Sequence, residues 1–286
     1  MLTYLQAVIL GLVQGITELF PVSSLGHSVI LPRLLGWTIH QEDPFFLTFL
    51  VATHTATAIV LLGFFWKDWV RIVKGLFRTL QTREISDKNP DGKLAWLLII
   101  TTIPAGILGV LFQDSLKALF ANPRLVAGIL IVNGAVLYGA ELLRRKKKEN
   151  NSPGGSDQRI AKLTWLQGIQ VGLLQSIALI PGFSRTGAAM TGGLLAGLSH
   201  EDAVRFSFLL ATPIIGAASL LKLPDLATQT GNSAIPVAVI GAVTAGIGAY
   251  FSVRFLTKYF ETKTLTPFAF YCFVVGILTS ALFLFR

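Results

Sequence analysis

Glu18, Ser23, Ser24 and His27 crowd into one short stretch, Glu18-Leu19-Phe20-Pro21-Val22-Ser23-Ser24-Leu25-Gly26-His27, whose flanks are apolar. A carboxylate, two hydroxyls and an imidazole are the parts of an activated hydroxyl nucleophile: the hydroxyl, a base to take its proton, and a group that orients the base. Ser24 and His27 stand three residues apart and share a face if a helix begins nearby. Serines that follow a proline also cap helices, and one of this pair is expected to do so. The carboxylate costs about 3 kcal/mol or more in an apolar membrane segment unless it has a partner or faces a wet cavity.

A second polar break, Pro181-Gly182-Phe183-Ser184-Arg185-Thr186-Gly187, sets a guanidinium at the start of another helix. The planar, permanently charged fork of arginine suits phosphate oxygens, and a helix N-terminus adds free N–H groups and partial positive charge. At a membrane edge the same arginine would merely snorkel. Thr191 either adds a hydroxyl to this cavity or bonds back to its own helix. Gln14 and Gln175 read as supporting partners, and His54, Asn133 and Glu141, alone in apolar stretches, as structural. Taken together, a base, a hydroxyl, a carboxylate and a phosphate-binding arginine equip a buried cavity for phosphoryl transfer from an amphiphile whose tail stays in lipid.

The elements that must position these groups follow from composition. The 286 residues are 52% hydrophobic and only 14% charged, with a mean hydropathy of +0.64, which excludes an ordinary soluble domain. The net charge of +9 is gathered in short runs between apolar segments, as in loops that orient a membrane protein, without the aromatic interleaving that would suggest nucleic acid. The single cysteine, Cys272, excludes a disulfide framework and a cysteine-based metal site. The first segment lacks the basic start and cleavage site of a secretory signal, so it is read as part of the mature fold.

Six segments are long enough to cross a bilayer: 45–66, 94–112, 125–143, 203–223, 235–256 and 266–285. Stretches 3–36 and 164–198 differ, since proline and polar residues interrupt each one. They begin alike, Thr3-Tyr4-Leu5-Gln6 against Thr164-Trp165-Leu166-Gln167, and reach Gly11-Leu12-Val13-Gln14 and Gly172-Leu173-Leu174-Gln175 in step. Both read as re-entrant helical hairpins, tolerated at membrane depth only inside protein. The expected fold is therefore an all-α integral membrane protein with six transmembrane helices and two re-entrant hairpins, about ten helices in all. One membrane domain, 1–286, is made of two inverted repeats, 1–143 and 164–286, joined by a cytoplasmic basic linker, 144–163. The basic loop from Lys67 to Lys93 is placed in the cytoplasm too, which brings the two hairpins in from opposite sides to meet tip to tip.

At these residues the chain resembles a known family, the bacterial undecaprenyl-diphosphate phosphatases associated with bacitracin resistance. The resemblance spans the whole length and rests on Gln14-Gly15-Ile16-Thr17-Glu18, Pro21-Val22-Ser23-Ser24-Leu25-Gly26-His27, Pro181-Gly182-Phe183-Ser184-Arg185-Thr186-Gly187 and Thr191-Gly192-Gly193. It implies removal of the terminal phosphate of undecaprenyl diphosphate, recycling the lipid carrier for peptidoglycan synthesis, in a multi-pass bacterial plasma-membrane protein whose site faces the extracytoplasmic side. It implies roles for Glu18, Ser24, His27, Ser184 and Arg185. Gln14 stands where many members carry a second glutamate, which weakens any role for a Mg or Ca ion accompanying the diphosphate; Leu25 replaces a commoner small hydroxyl residue.

The expected mechanism has Ser24 attack phosphorus, His27 take its proton and Glu18 orient the imidazole, while Ser23, Ser184, Arg185, Thr186 and Thr191 hold phosphate. His27 is the rival nucleophile. Partners are the polyprenyl diphosphate and the bilayer, without nucleic acid; a homodimer, prenyl chain-length preference and metal dependence are left open. The rival class is a secondary transporter or flippase, built on the same architecture but without need of a hydroxyl and imidazole, and a lipid-binding scaffold comes third.

Overall fold

The computed structural model describes residues 2–39, 43–86, 88–112, 115–116, 119, 122–145, 154–229 and 234–285, and among these the regular elements are all helical. In chain order they are α1 (Tyr4–Leu19), α2 (Ser24–Leu34), α3 (Pro44–Phe64), α4 (Trp66–Thr82), α5 (Pro90–Leu111), α6 (Pro123–Arg145), α7 (Ser156–Ile160), α8 (Trp165–Ser176), α9 (Arg185–Leu195), α10 (His200–Gln229), α11 (Ala234–Tyr259) and α12 (Thr266–Leu284). Six stretches, in α3, α5, α6, α10, α11 and α12, are long and apolar enough to cross a membrane. The chain is a multi-pass membrane protein.

The two interrupted stretches fold as helix, break, helix, with matching local geometry at matching residues. Thr3 and Gln6 form a capping box at the start of α1, the Thr3 N–H donating to Gln6 Oε1 at 2.8 Å and the Gln6 N–H to Thr3 Oγ1 at 3.2 Å. Thr164 and Gln167 repeat the box on α8 at 2.8 and 3.2 Å. The first helix stops at an extended residue before a proline, Phe20 (ψ 143°) before Pro21, and α8 passes into a 3₁₀ turn, Ile177–Leu179, that stops the same way at Ile180 (ψ 121°) before Pro181. Each second helix restarts on a serine cap: Ser23 Oγ accepts the Gly26 N–H and Ser184 Oγ the Gly187 N–H, both at 3.1 Å. Gly182, at φ +105°, needs to be glycine, because a Cβ there would lie 2.7 Å from the Val126 carbonyl oxygen.

Small residues let the first halves sink into the bundle. A Cβ on Gly15 would stand 2.0 Å from the Ala245 carbonyl oxygen of α11, and one on Gly172 would stand 2.5 Å from that of Thr101 on α5. So α1 packs on α11 and α8 on α5, while α3 lies against α10 and α11, and α6 against α12.

The basic stretch read as a loop from Lys67 to Lys93 is largely helix. The period that makes it so is apolar: Ile72 and Gly75 are buried against α5 with Thr79, while Lys67, Arg71, Lys74 and Arg78 stay exposed. Of the expected linker, residues 146–153 lie outside the described residues; the rest continues α6 to Arg145 and forms α7. Among the described residues the α-helices given above that go beyond the expected ten are thus α4 and α7.

Helix α7 is pinned by charge. Asp157 accepts from Arg71 Nη2 at 2.7 Å and from Arg205 Nε and Nη2 at 2.6 and 3.1 Å. Burial works to raise the Asp157 carboxyl, but the Arg205 and Arg71 guanidinium groups hold it below the usual carboxylate range. Its folded pKa is below its unfolded one, so the stability it adds is present above the unfolded value and is lost as pH falls through the folded one. Asp157→Asn is expected to cost about 2 kcal/mol, less than a fully broken buried pair because Asp68 still accepts from Arg71 at 2.6 Å and pairs with Arg205 at 3.0 Å. Thermal unfolding in detergent measures this: the gap between parent and variant should be full at pH 7 and close below about pH 4. Equal midpoints at pH 7 would mean that Asp68 alone suffices. A second buried clasp joins α6, α10 and the start of α12, where Glu141 Oε1 meets His200 Nε2 at 2.6 Å and the Leu265 N–H at 2.7 Å.

Candidate active site

The two breaks lie against one another. Asn133, on α6, stitches them: its Nδ2 donates to the Pro21 carbonyl at 3.2 Å and its Oδ1 accepts the Ser184 N–H at 3.0 Å. The Thr186 hydroxyl donates to the Glu18 carbonyl at 2.9 Å, and that of Ser184 to the Phe20 carbonyl at 3.4 Å. The N-termini of α2 and α9 therefore arrive at one place, each with its positive dipole end.

Glu18 is the hub. It is 7% exposed, and each carboxylate oxygen has cationic or hydroxyl company. Oε1 accepts from Arg185 Nη2 at 2.8 Å. Oε2 accepts from the Ser24 hydroxyl and pairs with His54 Nε2 at 3.1 Å. A carboxylate so held repays its desolvation, which explains how it survives in an apolar segment. Ser23 spends its hydroxyl on the α2 cap, which leaves Ser24 free for Glu18. Ser23 also sits at φ +68°, a conformation a non-glycine residue adopts at a cost of about 1 kcal/mol or more. That strain turns the chain so that consecutive serines cap and face the carboxylate.

The expected pairing of Glu18 with His27 is not made. His27 Nδ1 lies 2.6 Å from the Ser23 carbonyl and Nε2 2.8 Å from the Tyr271 hydroxyl of α12, with the two rings stacked. Both ring nitrogens are engaged away from Glu18, because a residue in the first turn of α2 reaches back to the Ser23 carbonyl sooner than across to α1. The imidazole on Glu18 is that of His54, from the middle of α3, its Nδ1 fixed at 2.7 Å to the Leu50 carbonyl.

Three buried polar atoms have no partner among the described residues, on Arg185 (Nη1), on Gln14 before Glu18 (Nε2) and farther along α9 on Thr191 (Oγ1). Gln14 lies one helical turn from Glu18 and accepts from the Thr57 hydroxyl at 3.2 Å through its carbonyl oxygen. Thr191, which could have bonded back to its helix, does not. Gln175 is not part of the cluster; its Nε2 donates to the Thr101 carbonyl at 2.7 Å on α5. Orphaned donors cost about 1–3 kcal/mol each when buried. Two of the three can only donate, so what they lack is an acceptor.

Of the residues that meet this cluster, His54 and Asn133 read as structural in the sequence and Tyr271 was not singled out. Each lies in an apolar span, and only packing shows what it meets.

Fold and site together define a polytopic membrane protein with a buried cluster of charged and polar side chains between two broken helices. Residues 7–278 match the family described as Bacitracin resistance protein BacA. The chain is 44% identical to an undecaprenyl-diphosphatase of Mycolicibacterium paratuberculosis, over 96% of this chain and 95% of that one. It is 45% identical to undecaprenyl-diphosphatase 2 of Burkholderia ambifaria (94% and 93%) and 42% to that of Frankia alni (99% and 98%). The chain belongs to the BacA family.

Proposed function

We propose that this protein hydrolyses undecaprenyl diphosphate to undecaprenyl phosphate and inorganic phosphate, as the names of its relatives say of them, and so recycles the carrier for cell-wall synthesis and supports bacitracin resistance. The observation that carries the reading is a serine hydroxyl bound to a carboxylate whose other oxygen holds an arginine, with Arg185 Nη1 left open for phosphate. A flippase needs to bind the diphosphate but has no use for a hydroxyl delivered to a base.

In the reaction Ser24 Oγ attacks the terminal phosphorus; the Oγ–P bond forms as the bond from phosphorus to the bridging oxygen breaks, and that electron pair departs on undecaprenyl phosphate. The Ser24 proton passes to Glu18 Oε2. Arg185, the Gln14 amide, Thr191 and the N-termini of α2 and α9, at Ser23 and at Ser184 and Thr186, take the phosphate oxygens. A water oxygen then bonds to phosphorus, the P–Oγ bond breaks, and Oγ recovers its proton from Glu18. One water hydrogen stays on inorganic phosphate and the other is released to bulk. Gln175 supports α8 from behind.

The residues do not make a protein-held cation site. Among the described residues no three His, Cys, Asp or Glu side chains group together, Gln14 is a neutral amide, and Glu18 is fully occupied. We therefore assign a Mg or Ca ion only to the diphosphate it would arrive with, and no step passes through it.

We also read the two halves, 1–143 and 164–286, as inverted repeats with re-entrant hairpins; the paired capping boxes and serine caps support it. The basic face of α4, adjoining the end of α3, favours the cytoplasmic side for that end. His54, midway along α3, then lies near the midplane, and the start of α3 opens outward, which supports extracytoplasmic access.

Phosphate release from a polyprenyl diphosphate by purified protein, with rapid quenching to trap a phosphoenzyme, tests the reading. Acid-stable label on Ser24 is expected; acid-labile label on His27 would make the imidazole the nucleophile, and turnover without label on either would mean direct attack by water. No phosphate release would overturn the proposal.

A further inference from the structure

We propose that His54 is the proton-accepting partner of Glu18, the group on which the Ser24 proton comes to rest while the phosphoenzyme exists; the inference rests on the phosphatase reading above. His54 sits within an apolar span, and the one carboxylate its ring meets among the described residues is that of Glu18. The Leu50 carbonyl can only accept, so Nδ1 carries a hydrogen and Nε2 is the one position at which this ring gains or loses a proton. That nitrogen stands 3.1 Å from Glu18 Oε2, the oxygen that also accepts the Ser24 hydroxyl. Serine, carboxylate and imidazole thus form a chain with the carboxylate in the middle, the reverse of the order in a serine–histidine–aspartate triad.

The order has a consequence. Glu18 Oε1 is already held by a guanidinium, and a carboxylate so paired favours its charged form and keeps a proton badly. By itself Glu18 is a poor store for the Ser24 proton. With uncharged His54 beside it, the proton leaving Oγ moves to Oε2 and on to Nε2, giving imidazolium paired to carboxylate; when water displaces Oγ, the same proton returns from Nε2 through Oε2 to Oγ. No proton is gained or lost by the triplet over the cycle.

Titratable groups facing His54 are Glu18 from α1 and Arg185 from α9. Among the described residues the other helices packed on α3 bring none to this spot: α10 places the Ser219 hydroxyl 2.7 Å from that of Thr55, and on α11 the Thr244 hydroxyl bonds back to its own helix at 3.0 Å. His27 cannot substitute, its nitrogens being committed to Ser23 and Tyr271.

The test is the pH dependence of turnover by the full-length protein in lipid nanodiscs, with undecaprenyl diphosphate as substrate. His54→Gln keeps a polar side chain of similar reach beside Glu18 but stores no proton. Its kcat is expected to fall about 100-fold with KM nearly unchanged, and the acid limb of the kcat profile to disappear. His27→Gln should keep that limb, whatever its rate. A purely structural role for His54 would lower the amount of active protein and leave the shape of the profile alone. Should His54→Gln fail to fold, nitrogen-15 histidine spectra of the parent protein, resolved by elimination among its four histidines, give the His54 midpoint directly; it must coincide with the acid limb. A retained limb in His54→Gln, or a spectroscopic midpoint away from it, overturns the inference while leaving the phosphatase reading intact. An inactive parent protein would instead sink the phosphatase reading.

Discussion

Glu18→Gln is expected to lower kcat about 10⁴-fold, the largest effect of any single substitution here, because one side chain serves three partners at once. The amide keeps the shape of the carboxylate and can still receive the Ser24 hydroxyl, so the fold around it should persist. What it loses is charge and basicity. It cannot take the Ser24 proton, which removes general-base assistance, and it leaves Arg185 without its counter-charge. Binding should not suffer in step. In the resting site Glu18 competes with substrate for the guanidinium, and a neutral amide frees Arg185 Nη2 for phosphate, so KM is expected to hold steady or fall. Glu18→Asp, which restores the charge a methylene short, should recover part of kcat. Steady-state kinetics of phosphate release in detergent or nanodiscs would decide it, and a Gln variant retaining a tenth or more of parental kcat would show that proton transfer does not pass through this residue.

How much of this could be read from the chain depends on the range of the interaction. The broken helices were legible because their causes are local: Thr3 and Thr164 with a glutamine three residues on, a proline, then a serine cap. Membrane spans were legible because length and hydropathy decide them. The meeting of Glu18 and Arg185 was expected from the likeness of the two interrupted stretches, whose polar breaks lie together in the bundle. His54 was not legible. In the sequence it is a solitary histidine on an apolar helix, and its partner is fixed by how α3 lies along α1, which neither segment encodes alone. Proximity in sequence pointed instead to His27, three residues from Ser24, but side chains on adjacent turns compete for the backbone, and the Ser23 carbonyl takes that ring. Helix α4 was obscured for another reason: its lysines and arginines drew attention to charge, while the apolar period that folds it is carried by Ile72, Leu76 and Thr79 on the side facing α5.

Arg185→Lys, the mildest change available in charge, is expected to cost about 10³-fold in kcat/KM. The guanidinium does two jobs with two nitrogens. Nη2 holds Glu18 Oε1 at 2.8 Å, and Nη1, buried without a partner among the described residues, is left for the phosphate. A rigid fork can bind carboxylate and phosphate side by side in one plane, and because it is pre-organised it yields little entropy when the second partner arrives. An ammonium is a single point of charge on a flexible stem. In the resting enzyme it would settle on Glu18, and to reach the phosphate it would have to leave the carboxylate, so that ground-state pairing and transition-state stabilisation exclude one another. The expected signature is therefore a fall in both kcat and substrate affinity, in contrast to Glu18→Gln. Combining the two substitutions checks the coupling: once Glu18 is neutral, lysine has no rival partner, and Glu18→Gln with Arg185→Lys should bind the diphosphate better than Arg185→Lys alone. Losses that simply add would mean that the arginine and the carboxylate act on the substrate independently.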